Sequence, residues 1–170
     1  MFVRSFGFGL GMLVAAAILS PLGAAEPQSG VTVAGQTNTA AHFGIEELAG
    51  LPKTQVNIAF LTDHGTHESS FEGPLLWTVL QKANAIEPDE HREQVSQTII
   101  ITGRDGYRAA LAVGEIAPEF EGKQVILAEK MDGQPLDADH LRVVVPLDKR
   151  GGRSVREVTR IEVLLPSEPK

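Results

Sequence analysis

The chain has 170 residues, enough for one domain with its own core and too few for two well-built ones. Hydrophobic residues make up 42% and charged residues 22%, which excludes a chain disordered along its length. Fifteen Lys and Arg against 22 Asp and Glu give a net charge of −7, which argues against nucleic acid as a partner, and zero cysteine excludes disulfides, thiolate metal ligands and cysteine nucleophiles.

Residues 1–25 read as a signal peptide. Arg4 is the only charge before Glu26, Phe6 to Leu19 is apolar apart from its glycines, and Gly23-Ala24-Ala25 supplies the small residues of a cleavage site. That apolar stretch is shorter than the ~20 residues of a spanning helix, so export with cleavage is expected over a retained anchor. Losing Arg4 moves the net charge from −7 to −8. The mature chain is then expected to begin with a polar leader, residues 26–30, followed by a domain over 31–165 and a tail at 166–170.

Within the domain, Val31 to Val33 alternates as a short strand, and His42 to Leu48 reads as a short helix stopped by Gly50 and Pro52. Val56 to Leu61 reads as a strand and Thr62 to Ser70 as a polar loop. Gly73-Pro74 is expected to open the best helix, since Leu75, Leu76, Val79, Leu80 and Ala83 follow at helical spacing. Val95 to Thr102 predicts a strand whose Ile99-Ile100-Ile101 run implies burial on both faces. Arg104-Asp105-Gly106 is a turn, so Tyr107 to Val113 is expected back as a hairpin partner. Val125 to Ala128 and Leu141 to Val145 are two further core strands, with a turn at Asp132-Gly133 between them. Lys149 to Arg156 is a basic loop or short helix, and Val158 to Leu165 closes the chain as a strand. Many short strands with two or three helices, out of strict alternation, predict an α+β fold built as a single mixed-sheet domain.

The order of motifs resembles one family. Phe71-Glu-Gly-Pro-Leu-Leu-Trp-Thr-Val-Leu80 is similar to the Gly/Pro/Leu-headed helix of the oxidoreductase molybdopterin-binding domain, the sulfite-oxidase fold. Thr102 to Tyr107 resembles its Asp-Gly-Tyr hairpin, and Leu127-Ala-Glu-Lys-Met-Asp-Gly-Gln-Pro-Leu136 its strand and turn. Leu141-Arg-Val-Val-Val-Pro146 and Gly152-Arg-Ser-Val-Arg156 resemble the family's ending. The resemblance implies a pterin cavity. Catalytic members of the family also hold molybdenum through a protein cysteine, whose rough position here is the strand around Phe60 and Leu61; neither is cysteine, and a leucine cannot replace a thiolate. The missing ligand resembles a small exported branch that binds reduced pterins and signals through periplasmic domains of membrane-bound cyclic di-GMP synthases and phosphodiesterases. The expectation is therefore a non-catalytic pterin-binding protein without molybdenum. The alternative is a molybdopterin-dependent oxidoreductase subunit.

Seven residues are candidates for the ligand. Trp77 falls about 130° from the centre of its helix's apolar stripe, so it either packs under a loop or offers a flat surface to a ring. Asp105 and Tyr107 suit a plain Asp-Gly turn and a strand, while the resemblance also gives Asp105 the paired donors of a pterin edge. Arg153 and Arg156 belong to the basic stretch from Arg142 to Arg160, either a solvated face, a partner surface or, by resemblance, the phosphate end of the cavity. His64 and His67, flanked by Asp63 and Glu68, read as a polar loop at the expected cavity rim. A metal there would need the two rings fixed on one face.

Overall fold

Strand patterning, more than helix propensity, decides how this chain folds. The computed structural model describes residues 29–35, 40–86 and 91–165; the expected signal peptide and tail lie outside them. In chain order the elements are β1 (Val31–Ala34), β2 (Ala41–Phe43), α1 (Ile45–Ala49), β3 (Lys53–Thr62), β4 (Gly65–Pro74), α2 (Leu76–Lys82) and α3 (His91–Gln94). There follow β5 (Thr98–Gly103), β6 (Arg108–Ala112), α4 (Val113–Ile116), β7 (Ile126–Ala128), β8 (Lys130–Met131), β9 (Gln134–Pro135) and β10 (Arg142–Val144). A single 3₁₀ turn, Gly151–Arg153, precedes β11 (Val158–Leu164).

The strands form a mixed five-stranded sheet ordered β2-β1-β11-β5-β6, a four-stranded sheet ordered β3-β4-β8-β9, and the pair β10-β7. In the first sheet β1 runs parallel to β11 and every other pairing is antiparallel, as the expected mixed-sheet α+β class requires. Its inner face buries Val31, Val33, Ile99, Ile101, Leu111 and Ile161 against Leu76, Val79 and Leu80 of α2. Each such side chain contributes about 1.5–3 kcal/mol when removed from water, so this sheet-on-helix layer is the main core. A second apolar cluster holds Val56, Ile58, Phe60 and Phe71 of the four-stranded sheet against Ile126, Ala128 and Val144 of the β10-β7 pair. Among the described residues, no helix is long and apolar enough to cross a membrane.

Several expectations are corrected. The segment Thr62–Ser70 is not a loop: β3 and β4 are ten-residue strands paired from Lys53↔Pro74 to Thr62↔Gly65, closed by the two residues Asp63-His64. Its distal end is exposed on both faces, so no alternation marks it in the sequence. Gly73 and Pro74 end β4 and do not open α2, which starts at Leu76 with no side-chain cap. Gly73 is needed for close approach, since a Cβ there would lie 2.1 Å from the Leu127 carbonyl oxygen of β7. His42 is in β2, paired with β1, and the short helix starts only at Ile45. Ile100 is half-buried, so the isoleucine run is not buried on both faces; its outer neighbours are Ala110 and Glu162. The turn at Asp132-Gly133 is present, both residues having positive φ (51° and 78°), and it joins β8 to β9.

Candidate functional site

The β5–β6 hairpin carries two of the expected residues to one rim. Its turn is held by Asp105, whose Oδ1 accepts the Tyr107 backbone N–H at 2.9 Å, and by Gly106 at φ +82°. Tyr107 then reaches across the molecule. Its hydroxyl donates to the carbonyl of Gly152 at 2.7 Å, binding the hairpin to the segment that follows β10. Asp105, Tyr107, Gly151, Gly152 and Arg156 line a surface pocket of about 200 Å³. The structure thus brings together Asp105, Tyr107 and Arg156.

The segment that forms the far wall is rigidly anchored. Arg153 places Nε and Nη2 on Asp148, at 2.9 and 2.7 Å, and Nη1 on both oxygens of Glu115, at 3.1 and 2.9 Å. The hydrogen bonds to Asp148 come first among the causes that hold the Arg153 guanidinium above its ordinary range. Burial works against ionisation of Glu115, but Lys123 at 3.0 Å, the Ala112 N–H and Arg153 overcome it and hold the carboxyl below its usual range. Arg153 is therefore a strut between α4 and the loop, not an open fork for a ligand. Gly151 makes this seat possible, because a Cβ there would meet the Phe60 ring at 3.0 Å.

A cation that the sequence analysis did not single out, Arg142, is partly buried. Arg142 rises from β10 with its guanidinium carbon 5.1 Å from the centre of the Phe71 ring. Its Nε is buried without a hydrogen-bond partner. Burial first, and the charge of Arg156 second, push its pKa down to about 10. Arg142 does not line the pocket of Asp105, Tyr107 and Arg156; it feels the charge of Arg156 from outside that lining. The signal was present: a lone arginine inside the apolar run Leu141 to Val145.

The other candidates lie elsewhere. Trp77 is half-buried on α2, packs against the main core and does not line the pocket of Asp105, Tyr107 and Arg156. His64 sits in the β3–β4 turn, and His67 is exposed on β4 with Nε2 3.0 Å from the Ser69 hydroxyl. Neither lines the pocket of Asp105, Tyr107 and Arg156. No group of three or more His, Cys, Asp or Glu side chains among the described residues could hold a metal ion. At the expected position of the family's thiolate, Phe60 is buried beneath Gly151, an apolar setting with no donor for molybdenum. The groups present fit a pterin-type ligand with oxygen atoms or an anionic end; they do not fit a protein-ligated molybdenum.

Comparison with known proteins agrees with this geometry. The family described as the oxidoreductase molybdopterin binding domain matches residues 24–169. Among solved structures, the sulfane dehydrogenase SoxCD from Paracoccus pantotrophus superposes with a TM-score of 0.61 at 18% identity. The likeness, one of fold, covers 78% of this chain and 37% of that one, so the chain spans little more than a third of the enzyme's length. No curated protein matches the chain.

Proposed function

We propose that this chain, which belongs to the oxidoreductase molybdopterin-binding domain family, is an exported protein that binds a reduced pterin as a ligand and not as a redox cofactor. The observation that carries the reading is the pocket that brings Asp105 and Arg156 together, with the buried Nε of Arg142 lacking a hydrogen-bond partner, in a chain with no cysteine to hold the family's metal. Arg156 receives the ligand's oxygen atoms, Arg142 adds positive charge from outside the lining, and Asp105 accepts from the amino and ring N–H donors of the opposite edge. Tyr107 does not touch the ligand in this reading; it fixes the loop that closes the pocket. With no redox centre of its own, such a domain acts by reporting occupancy to a partner. The periplasmic domain of a membrane-bound cyclic di-GMP synthase or phosphodiesterase is the partner class the family resemblance supplies.

The test is to purify the protein from the periplasm and identify what it releases, by mass spectrometry and metal analysis on one sample. A pterin without molybdenum, a mature N-terminus at Glu26, and saturable calorimetric binding of a tetrahydropterin under anaerobic conditions are the expected results. No binding of reduced or oxidised pterin overturns the reading. The second reading, a molybdopterin-dependent oxidoreductase subunit, is favoured by one feature, the suitability of Arg156 for a phosphate. Near one molybdenum per chain, with turnover of an oxo-transfer substrate, would establish it.

A further inference from the structure

The two ionic groups of the pocket come from segments far apart in sequence, and a residue beside each ties those segments together outside the lining. Asp105 belongs to the β5–β6 turn and Arg156 to the stretch before β11. Tyr107, on Gly152, makes one link between them. On the other flank of Asp105, the Arg104 backbone N–H donates to the Glu157 carbonyl at 2.9 Å. Arg104 directly precedes Asp105, Glu157 directly follows Arg156, and neither lines the pocket.

This second link is built for close approach. A Cβ on Gly103 would lie 2.8 Å from the Arg156 carbonyl oxygen and 3.1 Å from Asp105 Oδ1, so glycine is needed where the two segments meet. Glu157, the residue that leads into β11, has φ +48°, a left-handed conformation that glutamate rarely adopts. Such a conformation persists where the surroundings impose it. Side-chain contacts add to the backbone ones. Arg104 Nε lies 3.8 Å from a Glu157 carboxylate oxygen, and its Nη2 donates to Asp139 Oδ1 at 2.6 Å. Asp139 is itself set by Asp137, whose Oδ1 accepts the Asp139 N–H at 3.1 Å.

We infer that Arg104 and Glu157 are positioning residues: they set the separation of Asp105 and Arg156, and with it the ligand that the pocket accepts. Only the ligand's identity rests on the pterin reading. The side chains of Arg104, Glu157 and Asp139 are each 46% exposed, and exposed ion pairs contribute little to global stability. Their loss should therefore register in the pocket more than in the melting temperature. A ring ligand is rigid, so a pocket whose two ionic groups drift apart satisfies one edge of it and not the other.

The test is a double-mutant cycle on the protein purified from the periplasm, read by anaerobic calorimetry with a tetrahydropterin. Arg104→Ala should weaken binding by about three- to tenfold, and Arg104→Lys, which keeps a charged donor, should restore part of the loss. In an Asp105→Asn background the same Arg104→Ala change should cost little more, because Arg104 acts through Asp105. Glu157→Gly removes the carboxylate and frees a left-handed backbone, so binding should weaken while the melting temperature holds or rises. That variant also decides the matter if Arg104→Ala folds poorly. Amide exchange without ligand is independent of the pterin: the Tyr107 N–H, bonded to Asp105, should exchange faster in Arg104→Ala. If the wild type binds no tetrahydropterin, the pterin reading falls and exchange alone decides, faster exchange supporting the positioning role and unchanged exchange overturning it. With a binding wild type, additive losses across the cycle, unchanged affinity in both variants, or losses that only follow the melting temperature overturn the inference.

Discussion

The hydroxyl of Tyr107 and the carbonyl of Gly152, 2.7 Å apart, join a hairpin turn of the five-stranded sheet to the loop that carries Arg153 and Arg156. A hydrogen bond of this kind is worth about 1 kcal/mol, enough to bias a loop and too little to hold a fold. Tyr107→Phe should therefore leave global stability nearly unchanged while the amides of the loop 149–156 exchange faster. Ligand affinity should fall by about two- to tenfold through loss of a preformed wall. Equal exchange in wild type and variant would show that the Arg153 strut alone positions the loop.

Arg142 sets function against stability. Its guanidinium is largely buried, lacks a partner at Nε, and has Arg156 as a like charge. Arg142→Met keeps the contact with the Phe71 ring and removes the unpaired charge, so the unliganded protein should gain about 1 kcal/mol. The same change should weaken pterin binding by about two- to tenfold, through loss of positive charge near Arg156. Paired thermal melts and calorimetry check both halves, and a variant that loses stability would mean that Arg142 is a structural cation.

Much of the fold was legible because the apolar residues of β1, β5, β7 and β11 cannot be read otherwise: Val31, Val33, Ile99, Ile101 and Ile161 are all fully buried. The β3–β4 hairpin was only half legible. Val56, Ile58 and Phe60 alternate onto the second core, but Asp63 to Glu68 have no core beneath them and so leave no pattern. At the site, the Asp-Gly turn announced Asp105, whereas the arginines could not be ranked from composition. Only the fold decides that Glu115, far away in sequence on α4, claims Arg153. Charge pairing across long sequence separation is invisible to local patterning.

Acid should release the pocket wall before it unfolds the domain. Glu115 has its carboxyl held below the usual value, chiefly by Lys123, the Ala112 N–H and Arg153 working against the cost of burial. For a depressed carboxyl, the stabilisation is present above the unfolded-state value near 4.5 and is lost as pH falls through the lower folded value. Below about pH 4.5, then, the Arg153 strut should loosen and ligand affinity should drop. The Arg153 Nη1–H resonances, whose acceptor is Glu115, should broaden over that window in the wild type. In Glu115→Gln they should already be broadened at neutral pH.

The Gly73 position tests the packing of β4 on β7. A methyl group there would sit 2.1 Å from the Leu127 carbonyl oxygen, a backbone atom that cannot swing aside. Gly73→Ala should cost about 1–3 kcal/mol or more, as overpacking in a rigid interior does. Gly114→Ala is the control, since nothing lies within 4 Å of its added Cβ. Chemical denaturation of the two variants should separate them clearly, and equal midpoints would refute the close approach.

Asp105 has two duties that a single substitution can separate. Its Oδ1 accepts the Tyr107 N–H at 2.9 Å, a turn contact that an asparagine amide oxygen reproduces. Its charge is needed only if the carboxylate pairs with the amino and ring N–H donors of a pterin, which an amide accepts less strongly and in part repels with its own N–H₂. Asp105→Asn should therefore fold and melt like the wild type and still hold Tyr107 on Gly152. Tetrahydropterin affinity should fall by about ten- to a hundredfold, the range for a hydrogen bond to a charged group. Asp105→Ala should lose the same affinity and also destabilise the hairpin, because Tyr107 N–H is left without its acceptor. If Asn binds as tightly as Asp while Ala binds weakly, the carboxylate is a turn residue and the ligand edge is read by another group.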